Sequence, residues 1–241
     1  EDLVNLARSL FDVKSCKRAS VKVKEETRDN IGSFFDARNS ILTPYARTSL
    51  YAILKALKLP VGSEILMTPF NISPMLDVIE ELGLKPVFID VNTRDFGPNY
   101  KDLEKFLKRK PSCFLLTYLF GYVPDVEYIF NCCRKYDVPV IEDISQNIGS
   151  KYKGKYLGKF GVASIYSASL TKFVDAYNGS FILTENDALA QEIINFTEGL
   201  KEPKSKRLQI IIFKTLVYNV ALSISYFSIC VYPLLFILKI L

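Results

Sequence analysis

The chain has no histidine, no tryptophan and only two methionines. Histidine is the commonest general base and metal ligand, so proton transfer here must fall to lysine, carboxylate, tyrosine or a bound cofactor. Lysine leads that group. The five cysteines (Cys16, Cys113, Cys132, Cys133, Cys230) are odd in number and form no C-x-x-C pair, which argues against a zinc site or a disulfide framework and fits a reducing cytosol. A large excess of one charge is also missing. The net charge is +5, and the lysines and arginines are scattered through amphipathic segments without aromatic interleaving, so nucleic acid is not an expected partner. Glu1 stands where an initiator methionine would, and no apolar signal segment lies near it; the start reads as incomplete, with no sign of secretion.

What remains is apolar and patterned. At 241 residues, 49% hydrophobic and 24% charged, the chain can bury a full core. From about residue 41, helix-period segments alternate with short strand-like runs, the pattern of βαβ units and a largely parallel sheet. Leu50, Ile53, Leu54 and Leu57 mark one face of a helix over Arg47 to Leu59. Strands are predicted at 64–67, 86–90, 113–117, 138–141, 162–167 and 180–184. Helices are predicted at about 75–82, 100–108, 126–136 and 188–200. Residues 1–40 are polar and weakly patterned and read as an N-terminal arm, with 41–200 as the main domain.

After the basic stretch Lys201 to Arg207 the composition changes again, because Thr215 to Leu238 contains no charged residue. As a helix this segment would run roughly 36 Å, against about 30 Å of bilayer hydrocarbon. Lysines and Arg207 crowd its N-terminal side and only Lys239 follows it, so a span would leave the main domain in the cytoplasm. Asn219, Pro233 and four serines or threonines keep a second reading open, a buried or interfacial helix pair broken at Pro233.

Two motifs carry chemistry. Val138 to Gln146 is an apolar run that delivers Glu142 and Asp143 at its C-terminal end, and Val162 to Ser167 is a second strand leading to Lys172. In open α/β sheets, ligands bind beyond the carboxyl ends of the strands, where Asp143 and Lys172 would emerge. A lysine and an acid so placed suit pyridoxal phosphate. The lysine forms a Schiff base with it, and the aspartate keeps the pyridine nitrogen protonated so that the ring can accept electrons. A helix starting at Arg47 and Thr48 could receive the phosphate on its unpaired amides, with the Ser167 hydroxyl added. Each motif also has a structural reading: a capping acid pair, a surface lysine, a simple helix cap.

The order of the motifs is more specific. Tyr45 to Tyr51, Gly62 to Ile65, Lys85 to Val91, Leu119 to Gly121, Ile141 to Gln146, Lys153 to Gly158 and Ser167 to Lys172 together resemble the DegT/DnrJ/StrS family of PLP-dependent sugar aminotransferases, over about residues 41 to 200. The resemblance implies an α/β PLP-transferase large domain, of the aspartate-aminotransferase fold, with a mostly parallel central sheet flanked by helices. To that the sequence adds an apolar C-terminal helical tail. It implies Lys172 as the Schiff-base residue, Asp143 on the pyridine nitrogen, Gln146 near the ring oxygen, and Arg47, Thr48 and Ser167 on the phosphate. Phe70 is placed as the aromatic stacked on the ring. The implied substrates are an amino donor, commonly glutamate, and a nucleotide-linked keto-sugar destined for surface polysaccharide or lipopolysaccharide; the implied assembly is a homodimer.

The sequence departs from the family pattern in places. Ala46 and Ser180 stand at positions that are usually glycine, the segment Pro69 to Pro74 is one residue short, and an apolar tail stands where a small C-terminal domain is expected. These departures keep an alternative in view, a non-catalytic or truncated membrane-tethered module. The family's dehydratase branch has histidine at the lysine position, and Lys172 argues against it.

Overall fold

The computed structural model describes residues 13–169, 172–174, 176, 178–201 and 205–222. The chain divides into two units, 25–200, and 1–24 together with 201–241. A long helix, Val13–Phe35 (α1), occupies much of the segment predicted as an arm, and strand β1 (Asn39–Thr43) follows it at once.

The elements that follow alternate as predicted. Helix α2 (Ala46–Ala56) precedes β2 (Glu64–Met67), α3 (Ser73–Glu81), β3 (Lys85–Phe88), α4 (Tyr100–Leu107), β4 (Cys113–Thr117), α5 (Val126–Lys135) and β5 (Val140–Asp143). A two-stranded hairpin of 151–152 (β6) and 155–156 (β7) leads to β8 (Ala163–Ala168), β9 (Gly179–Thr184) and α6 (Asp187–Glu198). The second unit contains α7 (Ser205–Leu222). No described helix is long and apolar enough to cross a membrane, and positions 223–238 of the predicted span lie outside the described residues.

Seven strands form one sheet in the order β1-β9-β8-β5-β4-β2-β3. Strands β3, β2, β4, β5 and β8 are parallel, whereas β9 runs antiparallel to both β8 and β1. Strand residues alternate between faces, and both faces are covered. On one, Ile65, Met67, Leu115, Ile141, Ile165 and Ile182 pack with Leu50, Ile53 and Leu54 of α2, Met75 and Ile79 of α3, and Leu189 and Ile193 of α6. On the other, Leu66, Phe114, Leu116, Val140, Tyr166 and Phe181 pack with Leu103 and Leu107 of α4 and with Val126, Ile129 and Phe130 of α5.

Candidate active site

The alternation along β5 separates the Glu-Asp pair. Ile141 belongs to the α2 face, so Glu142 points to the α5 face and Asp143 returns to the α2 side. Both carboxylates are buried, and they have different surroundings.

Glu142 accepts hydrogen bonds from the Tyr118 hydroxyl (2.7 Å) and from the backbone N–H groups of Gly158 (2.8 Å), Phe160 (2.7 Å) and Gly161 (2.7 Å). Burial pushes its carboxyl above the ordinary range, and these four donors oppose the shift. Glu142 therefore binds the 158–161 turn to the sheet. A side chain at Gly161 would bring its Cβ to 2.3 Å from the Val140 carbonyl oxygen, so the turn is pressed against β5.

Asp143 ends the central strand, paired with Thr117 of β4 and Ile165 of β8. Its Oδ1 accepts the Ser145 N–H at 2.9 Å. Burial raises its carboxyl, opposed by the Ser145 hydrogen bonds and then by the charge of Lys172. The lysine thus lies within electrostatic reach of the acid. A run of hydrogen bonds links the two segments: Ser167 N–H donates to Ser145 Oγ (3.0 Å), Ser167 Oγ to Ser169 Oγ (3.4 Å), and Lys172 N–H to the Ser169 carbonyl (2.9 Å).

The loop carrying Lys172 is pinned by a residue that sequence reasoning passed over. Tyr166 is fully buried on the α5 face, stacked on Phe181 with ring centroids 5.1 Å apart. Its hydroxyl donates to the Val174 carbonyl and accepts the Val174 N–H, both at 2.9 Å. The sequence gives no sign of this, since the bond joins a strand side chain to the backbone of a loop eight residues on.

Gln146 Oε1 accepts the Phe120 N–H (2.9 Å), which leaves its amide nitrogen to donate. Asn147 holds the same loop, accepting from Gly121 N–H (3.2 Å) and donating to the Tyr122 carbonyl (2.8 Å). The loop needs this support because Phe120 and Gly121 are both left-handed, at φ 55° and 81°. A non-glycine residue there is strained.

At the start of α2, Tyr45 is the N-cap without a side-chain cap bond, and Arg47 folds back over the Tyr45 ring at 4.4 Å. Thr48 is half-buried. Ser49, one turn in, shares hydroxyl hydrogen bonds with Thr43 (2.6 Å) and Ser180 (2.8 Å), and Ser180 lies directly across from Ser167. The helix start is thereby tied to the row that holds Ser167. The hydroxyl of Ser180, at a usual glycine position, is taken up by Ser49. Phe70 follows β2 and is 51% exposed; the adjoining Asn71 accepts the Thr117 hydroxyl (3.1 Å) beside Asp143. Asp143, Ser167 and Lys172 thus meet at the ends of β5 and β8, and Phe70 lies at the same edge on the β2 side.

Cys113 and Cys133 are buried, and burial pushes both thiols up to about 12, which removes them as nucleophiles. Among the described residues no cluster of acids and cysteines could hold a metal ion.

This mostly parallel sheet, with an acid at its centre and a lysine on the neighbouring loop, is the frame of a PLP-type transferase. Residues 22–223 match the model of the DegT/DnrJ/EryC1/StrS aminotransferase family, and the chain belongs to that family. It is 30% identical over 164 residues to the pleiotropic regulatory protein of Geobacillus stearothermophilus, covering 68% of this chain and 44% of that one. Over 148 residues it is 28% identical to a GDP-perosamine synthase of Escherichia coli O157:H7, covering 61% and 41%. The chain thus spans less than half the length of these two relatives. Its fold matches that of NtdA of Bacillus subtilis, solved with bound cofactor PMP, at a TM-score of 0.70 and 20% identity over 86% of this chain and 52% of that one.

Proposed function

We propose that the chain binds pyridoxal 5′-phosphate and transfers an amino group from glutamate to the keto group of a nucleotide-linked sugar, supplying polysaccharide or lipopolysaccharide synthesis. The observation that carries this reading is the buried Asp143 carboxylate at the end of the central strand, under the charge of Lys172. A desolvated carboxylate held by a backbone N–H and a serine fits a protonated pyridine nitrogen as its remaining partner. The cofactor, when bound, supplies the electron sink for the bond-breaking step.

The rest of the chemistry belongs to the side chains. Asp143 would accept the N–H of the ring. Lys172 would hold the cofactor covalently, and its freed amine would move the proton at the donor's α-carbon. Gln146 would donate to the ring oxygen, and Phe70 would cover the ring. Phosphate oxygens are received by the amides of Arg47 and Thr48, where the helix dipole favours an anion, and by the Ser167 hydroxyl. Two copies of the chain form the working unit. In support, Phe120, which is 58% exposed, and Tyr122 leave apolar surface beside Gln146 for a second copy to cover.

The test is a half-reaction. The chain with PLP and glutamate should release 2-oxoglutarate, and a nucleotide-linked keto-sugar added afterwards should be aminated. Release no greater than that of Lys172→Ala would sink the proposal.

A further inference from the structure

Part of the apolar surface of α7 faces solvent. Ile210, Phe213 and Val217 are 47%, 57% and 50% exposed, and they recur at the i, i+3, i+7 spacing of a single helical stripe. Thr215, which the same geometry puts on the opposite side, is 1% exposed. Ile212 and Leu216 are half-buried, so α7 carries apolar side chains on its covered side as well as on its solvent face. Exposed lysines border the stripe: Lys206 lies on its line one turn before Ile210, and Lys214 flanks it one turn after. Tyr218, 37% exposed, stands at its far end. Apolar side chains with lysines at the rim match the boundary of an anionic bilayer, where acyl chains take the stripe and the lysine stems reach back to the headgroups. The sequence continues from α7 without a charge as far as Leu238.

We propose that α7 binds an anionic membrane surface lengthwise, with Ile210, Phe213 and Val217 in the headgroup and acyl boundary and Lys206 and Lys214 on the lipid phosphates. The helix lies on the membrane and does not cross it. The proposal is independent of the cofactor reading, since none of these residues belongs to the candidate site.

The test is flotation of the intact chain with vesicles of equal parts phosphatidylcholine and phosphatidylglycerol, and with phosphatidylcholine alone. The wild type should float with the anionic vesicles and much less with the neutral ones. Ile210→Asp with Phe213→Asp should abolish flotation while leaving the unfolding midpoint unchanged, because both positions face solvent. Lys206→Gln with Lys214→Gln should weaken binding to the anionic vesicles by about fivefold for each lysine removed. Three results would overturn the proposal: no flotation of the wild type, equal flotation of the wild type and the aspartate variant, or self-association that the aspartate variant abolishes in the absence of lipid. The second would place attachment outside α7, and the third would assign the stripe to a second copy of the chain.

Discussion

Ser49 and Ser180, far apart in sequence, share a buried hydroxyl hydrogen bond of 2.8 Å that joins the first turn of α2 to strand β9. Thr43 adds a second bond to Ser49 at 2.6 Å, so three hydroxyls form a chain with Ser49 at its middle. Replacing Ser49 by alanine deprives both neighbours at once. We expect a loss of about 1–3 kcal/mol by urea unfolding. Ser49→Ala combined with Ser180→Ala should cost less than the sum of the two single changes, because the second removes a group that the first has already stranded.

Glu142 should behave as a structural acid. Glu142→Ala leaves three backbone N–H groups and the Tyr118 hydroxyl without their acceptor, and about 3 kcal/mol or more of stability should be lost. Its pKa is raised in the folded chain, so between the ordinary value and the raised one the folded state holds more protons than the unfolded. Its contribution is then fully present below about pH 4 and lost as the pH rises through the raised value. Asp143 acts in the same direction. Urea midpoints measured across that window should fall with rising pH in the wild type and fall less in Glu142→Gln. A Glu142→Gln slope equal to the wild type's would exclude Glu142 as a source.

Gly161→Ala tests how tightly the turn is pressed on β5. The added methyl meets the Val140 carbonyl oxygen at 2.3 Å, a backbone atom that cannot rotate away. A destabilisation of about 1–3 kcal/mol is expected, with part of the Glu142 donor set displaced.

Tyr166→Phe removes the hydroxyl that holds both polar groups of Val174 and leaves the ring stacked on Phe181. Stability should fall by about 1–2 kcal/mol. The loop around Lys172 should become cleavable by protease at concentrations that leave the wild type intact, while cleavage elsewhere is unchanged. Uniform sensitivity along the chain would mean that Tyr166 is a general core residue and no anchor of that loop.

Several of these relationships follow from contacts that a linear reading does not contain. Strands β2 and β4 were legible to the residue because Glu64–Met67 and Cys113–Thr117 are short apolar runs between breakers. The apolar run marks β5 only as far as Ile141, yet the strand runs through Asp143, because four donors from outside it allow Glu142 to be buried. Strand β1 was missed since Asn39–Thr43 mixes polar and apolar residues, and its pairing partner is β9, at the far end of the domain. The positions of Asp143 and Ser167 at strand ends, with Lys172 on the loop after β8, follow from the strand pattern, while their roles rest on the proposal. The ties that position them, Ser145 to Ser167 and Tyr166 to Val174, are side-chain bonds to backbone that no periodicity reports.

The central claim is that Lys172 and Asp143 serve one bound PLP. It is tested most directly by borohydride reduction of the chain incubated with PLP, followed by peptide mass spectrometry, with Lys172→Ala and Asp143→Asn alongside. The account predicts one reduced adduct in the wild type, at Lys172, none in Lys172→Ala, and a weakened yield in Asp143→Asn. No adduct, or adducts scattered over surface lysines with Lys172 unmodified, would contradict it.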